Sequence, residues 1–153
     1  MRQTLPELQL SIQYPSGKAH APTRTQVRRW VRASGHAVYK APAQITVRFV
    51  DAAEGQELNR HWRAKDYATN VLSFPYQHDE ALLCGDLIIC PAVVLREAEE
   101  QKKSLDAHFA HLIVHGMLHL QGFDHETHAD DAAIMEAKER GILQTLGYPD
   151  PYA

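Results

Sequence analysis

The sequence predicts an α+β fold, a small mixed four-stranded β-sheet packed with about five α-helices. Two observations lead there: short alternating apolar runs are interleaved with helical segments in the first ninety residues, and three long helix-favouring segments follow them to the C-terminus. A third bounds the answer. No repeat, low-complexity tract or linker divides the 153 residues, so the chain reads as one domain, 1–153, able to bury roughly 70% of its unfolded surface without disulfides.

Taken in order, Leu8 to Tyr14 alternates as a first strand, and Thr23 to Ser34 is an amphipathic helix closed by Gly35. Ile45, Val47 and Phe49 alternate with Thr46 and Arg48 as a second strand. Asp51 with Glu54 has the form of a capping box opening a helix that runs to about Trp62. Val71 to Phe74 is a short third strand ended by Pro75, and Asp86 to Cys90 a fourth ended by Pro91. Helices are expected over about Ala92 to Lys103, Leu105 to Gln121 and Asp130 to Leu146. The tail after Gly147 carries two prolines and is expected to fray.

Composition excludes several classes. No apolar run of signal-peptide length follows the N-terminus and no stretch approaches a membrane span, so the chain reads as cytoplasmic, with no membrane partner. Cys84 and Cys90 flank a strand-like run and read as small buried apolar residues rather than a disulfide framework. The net charge of −3 argues against a nucleic-acid protein, yet its distribution does not. Residues 1–66 hold eleven Lys or Arg against five Asp or Glu, a balance of +6, whereas residues 67–153 hold five against fourteen, a balance of −9. Such polarity lets one face meet phosphates while the rest repels unselective RNA binding. Arg24, Arg28 and Arg32 form a stripe opposite Val27, Trp30 and Val31, which serves either as a solvated face or as an RNA contact. Arg60, Arg63 and Lys65 are the stronger basic cluster.

The chemistry concentrates near the C-terminus. His115, His119 and His125 stand four and then six positions apart, with Gly122 between the last two. On a helix His115 and His119 fall one turn apart and project from one face, a chelating pair. Gly122 can take the left-handed conformation that ends a helix, so the chain can turn back and bring His125 toward the other two rings. Three neutral nitrogen ligands leave one position of a tetrahedral ion for water or substrate, an arrangement found more often in catalysis than in scaffolding. The ligand helix is thus zincin-like. Zinc peptidases of the long His-Glu-x-x-His type share this spacing and this glycine, but place a glutamate directly after the first histidine as general base. Here that position is Gly116. Losing a positioned base commonly costs about 100- to 10,000-fold in rate, which makes peptide hydrolysis the weaker hypothesis.

Six of the ten histidines lie between residues 108 and 128. A set of His111, His115 and His119 would spread along three successive turns, too far for one ion to reach both ends. His108 and His111 are therefore assigned structural or ligand-supporting roles, and His128 a loop. Asp124 and Glu126 bracket His125 and could accept a hydrogen bond from an imidazole, or cap the next helix, or simply be solvated.

The run His115-Gly116-Met117-Leu118-His119-Leu120-Gln121-Gly122-Phe123-Asp124-His125 resembles the signature of the YbeY family of bacterial metal-dependent rRNA maturation endoribonucleases. A second block agrees with it: Leu58-Asn59, Arg63, Thr69-Asn70-Val71-Leu72-Ser73-Phe74-Pro75, and Gly85-Asp86-Leu87-Ile88-Ile89-Cys90. The likeness extends from about Ile45 to Gly147, and Phe123 stands where tyrosine is more usual. The resemblance implies a single-strand-specific endoribonuclease acting in 3′-end maturation of small-subunit (16S) rRNA and in ribosome quality control. It implies one Zn2+ per chain held by His115, His119 and His125, with Arg63, His115 and His119 as the catalytic residues. The implied partners are ribosomal RNA, the small ribosomal subunit with its proteins, and a ribosome-assembly GTPase.

On that reading the ion polarises a phosphoryl oxygen or acidifies water, and Arg63 neutralises charge growing on the non-bridging oxygens. Asp124 and hydroxide on the metal are both open as the base, and attack by the RNA 2′-hydroxyl is open as well. Two rival classes stand beside it: a noncatalytic ribosome-assembly factor whose metal holds its C-terminal helices, and the zinc peptidase.

Overall fold

The computed structural model describes residues 7–38, 41–63, 69–123 and 129–153. Its elements follow the order β1 (Leu8–Gln13), α1 (Arg24–Val38), β2 (Ala43–Phe49), α2 (Ala52–Arg63), β3 (Val71–His78), β4 (Leu83–Ile89), α3 (Pro91–Gln101), α4 (Leu105–Leu120) and α5 (Ala129–Leu146). The four strands form one sheet in the order β1-β2-β4-β3. β1, β2 and β4 run parallel, and β3 returns antiparallel along β4 as an edge. The expected α+β class, mixed four-stranded sheet and five helices are all present.

Strand alternation divides the core into two parts. Ile12, Ile45, Val47, Phe49, Leu83, Leu87 and Ile89 point to one face and pack with Val27, Trp30 and Val31 of α1 and with the apolar side chains of α4 and α5. Leu72 and Ile88 point to the opposite face, where a smaller cluster forms with Val50, Cys90 and Val93, and Leu58 of α2 and Phe74 pack against it. Cys90 is buried and Cys84 half-buried, both as free thiols. Among the described residues, no helix is long and apolar enough to cross a membrane.

Besides β4, which begins at Leu83 rather than Asp86, four features differ from the sequence expectation, each for a physical reason. The helix α1 runs through Gly35 to Val38. Glycine in a helix interior costs about 1 kcal/mol relative to alanine, which weakens a helix without ending it. Likewise β3 continues past Pro75 to His78, with a register shift between Pro75 and Gln77. An edge strand tolerates a residue without an N–H, and the irregularity absorbs the mismatch. The capping box is half made: the Glu54 N–H donates to Asp51 Oδ1 at 2.8 Å, but the Glu54 carboxylate is taken by Arg48, whose Nε and Nη2 donate at 2.8 and 3.2 Å. Finally, the tail is fastened rather than frayed. The Asp150 carboxylate accepts from Arg140 Nε at 3.2 Å and from the Tyr152 N–H at 2.8 Å, and the Arg140 guanidinium lies 5.2 Å from the Tyr152 ring centroid.

Candidate metal centre

The helix α4 is almost wholly internal. From His108 to Leu120 every residue is buried except His111, His115 and His119, so one stripe at four-residue spacing is all this segment shows to solvent. Two close approaches seat the helix on β4. A Cβ on Gly116 would stand 2.8 Å from Leu87 Cδ2, and a Cβ on Gly85 would stand 2.6 Å from Leu120 Cδ2. Each glycine receives a leucine from the other element, which explains both the glycine after the first histidine and the one that opens Gly85-Asp86-Leu87.

Ser104 caps the start of α4, its Oγ accepting from the Ala107 N–H at 3.1 Å. At the other end the Gly122 N–H donates to the His119 carbonyl at 3.0 Å and the Phe123 N–H to the Leu118 carbonyl at 3.1 Å, with Gly122 at φ +91°. This is a Schellman closure, and the left-handed glycine turns the chain sharply just before His125. His125 itself, with Asp124, Glu126 and His128, lies outside the described residues.

On the stripe, His115 Nε2 and His119 Nε2 converge to 3.0 Å. Two imidazole nitrogens bound at 2.0–2.1 Å to one tetrahedral ion stand about 3.3–3.4 Å apart, so the pair need part by only a few tenths of an ångström to share one ion. The opposite edge of the His115 ring, Nδ1, is 2.5 Å from Glu139 Oε1. Glu139 comes from α5 and is fully buried. Its other oxygen accepts the Tyr152 hydroxyl and stands 3.4 Å from His111 Nε2. That last pair is close enough for electrostatic attraction, but Nε2 has no well-aligned hydrogen bond. Burial by itself pushes the Glu139 carboxyl up; His111, His115 and Tyr152 outweigh it and hold the group well below the usual carboxylate range. Burial first, and then the bond to Glu139, pushes the Tyr152 phenol far above its ordinary value, so it stays protonated and donates.

A second carboxylate supports the same helix. Glu97 of α3 is 3.0 Å from His108 Nε2 and accepts from Asn70 Nδ2 at 3.0 Å, tying α3, α4 and the residue before β3 together. Its pKa is lowered chiefly by the His108 bond, which overcomes the opposing effect of burial.

Of the residues singled out from the sequence, the structure brings His115 and His119 together. It turns His108 and His111 toward carboxylates. Arg63 is the last residue of α2, and its side chain, like all of Lys65, lies outside the described residues. Among the described residues no group of three His, Cys, Asp or Glu gathers to hold a metal. Arg60 is paired with Glu57 at 2.6 Å. In the arginine stripe of α1, Arg24 donates to the Ile12 carbonyl at 2.9 Å and sits over Tyr14, a structural use, while Arg28 and Arg32 are exposed. Sequence reasoning missed Glu139, Tyr152 and Glu97. A signal existed for the first: Met135, Glu139, Ile142 and Leu146 form one helical stripe, and a carboxylate amid three apolar members marks a buried charge that needs partners.

The sequence matches the family described as Endoribonuclease YbeY over residues 12–147. The chain belongs to that family. Among curated relatives, the Endoribonuclease YbeY of Aromatoleum aromaticum is 55% identical over 149 residues, covering 95% of this chain and 93% of the relative. That of Delftia acidovorans is 53% identical, covering 98% and 99%. A solution structure of a Thermotoga maritima protein shares the fold at a TM-score of 0.57 and 21% identity, covering 93% of this chain and 97% of its own.

Proposed function

We propose that this chain is a single-strand-specific, metal-dependent endoribonuclease that matures the 3′ end of small-subunit (16S) rRNA and serves ribosome quality control. Family membership supplies the RNA-cleaving activity. The observation that carries the metal is the pair of His115 and His119 Nε2 atoms meeting at 3.0 Å, with His115 Nδ1 bonded to a buried carboxylate. That donor set fits zinc, one ion per chain, with His125 as third ligand. When bound, the ion supplies a double positive charge that polarises phosphate or acidifies water.

The chain's own residues do the rest. Neutral His115 and His119 present nitrogens without cancelling the ion's charge, which suits an anionic substrate. Arg63 offers forked donors to the non-bridging oxygens of the scissile phosphate. We read residues 1–153 as one domain working in the cytoplasm, with ribosomal RNA as substrate. The small subunit with its proteins and an assembly GTPase are its proposed partners.

The peptidase alternative loses ground on position 116. A Cβ there would meet Leu87 at 2.8 Å and Ser73 at 3.4 Å, so a glutamate could be placed there only by displacing Leu87 from the core. The test of the nuclease reading is cleavage of precursor small-subunit RNA by purified, metal-quantified protein, with chelated wild type, His115→Ala and Arg63→Glu in parallel. Metal-dependent cutting lost in Arg63→Glu with fold and metal retained is expected. Absence of cutting in every preparation, ribosomal subunits included, would transfer the role to noncatalytic assembly.

A further inference from the structure

We infer that Glu139 is a positioning residue for the metal centre, holding His115 in the tautomer that presents Nε2 to the ion, and that Tyr152 of the C-terminal tail in turn holds Glu139. The inference rests on the metal reading above.

The geometry supplies the proton inventory. With Oε2 accepting from the Tyr152 hydroxyl, Glu139 presents Oε1 to the His115 ring as an acceptor, and that 2.5 Å contact assigns the ring proton to Nδ1. A neutral imidazole with Nδ1–H has its lone pair on Nε2, the atom that faces His119. Glu139 thereby decides which edge of the ring can bind a cation. A carboxylate behind a histidine ligand also raises the basicity of the coordinating nitrogen and fixes the ring's orientation.

Burial makes the arrangement costly and therefore informative. Glu139 is fully buried, and an isolated charge there would be expelled or neutralised. It is kept by donors from two elements, His115 on α4 and the Tyr152 hydroxyl beyond α5, with His111 beside them. The tail is anchored for that task. Asp150 binds both Arg140 and the Tyr152 backbone, and the Tyr152 ring lies edge-on to His111 with centroids 5.5 Å apart. One hydroxyl from a terminal segment therefore reaches, through one carboxylate, the back of a ligand.

Glu139→Gln tests this almost isosterically. The amide is neutral and so lends the ring less basicity: with its oxygen on His115 Nδ1–H its NH2 donates to the Tyr152 hydroxyl, and in the reversed orientation its NH2 faces His115 Nδ1 and favours the wrong tautomer. Tyr152→Phe removes only the distal donor. Two measurements are made on each protein: Zn2+ affinity by chelator competition, and the tautomer of His115 in the metal-free protein from long-range nitrogen–proton correlations of its ring. Wild type is expected to show the Nδ1–H form. Glu139→Gln is expected to bind Zn2+ about 10- to 100-fold more weakly with mixed or inverted tautomers, and Tyr152→Phe about 2- to 10-fold more weakly.

Unchanged affinity and tautomer in a folded Glu139→Gln would overturn the proposal. If that variant fails to fold, the wild-type tautomer and Tyr152→Phe decide: an Nε2–H ring in wild type, or an unaltered Tyr152→Phe, overturns it. Should wild type itself fail to bind Zn2+ in a manner abolished by His115→Ala, it is the metal reading that falls.

Discussion

Adding one methyl group at Gly116 has a sign that the structure fixes. In an unobstructed helix Gly→Ala stabilises by about 1 kcal/mol, because alanine loses less backbone freedom on folding. At Gly116 the new Cβ would lie 2.8 Å from Leu87 Cδ2 and 3.3 Å from its Cδ1, with Ser73 Oγ at 3.4 Å. Leu87 is fully buried within the main core, so its end cannot swing aside without displacing neighbours. Overpacking of this kind costs about 1–3 kcal/mol. We take the upper part of that range, because Leu87 is enclosed, and subtract the propensity gain, which leaves Gly116→Ala destabilised by about 1–2 kcal/mol. For a chain of this size each kcal/mol moves Tm by about 2–4 °C. Thermal unfolding of the metal-free protein, which removes any contribution from ligand binding, should therefore show Tm lowered by roughly 2–8 °C. Gly141 supplies the control: it lies in α5 with nothing within 4 Å of a Cβ, so Gly141→Ala should raise stability by about 0.5–1 kcal/mol. A Gly116→Ala protein as stable as wild type, beside a stabilised Gly141→Ala, would refute the close-approach argument.

Three further outcomes follow from the same geometry. Gly122→Ala must place a side chain at φ +91° with His78 Cε1 3.2 Å away, so it should lose about 1–2 kcal/mol in denaturant unfolding and bind Zn2+ more weakly, because the turn before His125 is disturbed. Glu97 has a folded-state pKa below its unfolded value of about 4.3, so its contribution is present above that pH and is lost as pH falls through the lower folded value. Urea titrations from pH 6 downward should show the stability advantage of wild type over Glu97→Gln shrinking once the pH falls below the unfolded value; an advantage that does not shrink would contradict the assigned bonds. Chelation should lower Tm of wild type but leave His115→Ala unmoved, since only a protein that binds the ion in its folded state gains stability from it.

What was legible in the sequence was local. Alternation in Ile45, Val47 and Phe49 marked a strand because one face of the sheet is buried; the His115 and His119 spacing marked a shared helical face because one turn separates them. Gly122 announced a helix end because its left-handed φ is costly for other residues. Gly35 carries the same residue type without that outcome, since α1 is held to the core by Val27, Trp30 and Val31 and continues through it. Pairing across elements was not legible. Glu139 meets His115 at a separation of twenty-four residues and Glu97 meets His108 at eleven, and no spacing rule joins α5 or α3 to α4. The tail illustrates the same limit: two prolines near a terminus suggest fraying, yet Asp150 and Tyr152 find partners on α4 and α5 that only the fold supplies.

The burial of α4 also constrains the chemistry. With every other residue from His108 to Leu120 enclosed, this stretch of α4 shows solvent only three histidines, one of which, His111, faces Glu139 rather than the His115–His119 pair. A Cβ at the position after His115 would stand 2.8 Å from Leu87 Cδ2, so the seat of α4 on β4 leaves no room there for a longer side chain. A base of the peptidase kind is thus removed by the packing that seats the ligand helix, and not merely by the choice of residue. Charge management at a bound phosphate must come from other segments of the chain. Arg63, at the end of a helix that packs on the opposite face of the sheet through Leu58, is the cation our reading assigns to it. On this reading the labour divides: α4 and the buried Glu139 would set the metal, and a separate element would meet the anion. Arg63→Glu should accordingly abolish RNA cleavage while leaving Zn2+ affinity within about twofold of wild type, whereas Glu139→Gln should lower both.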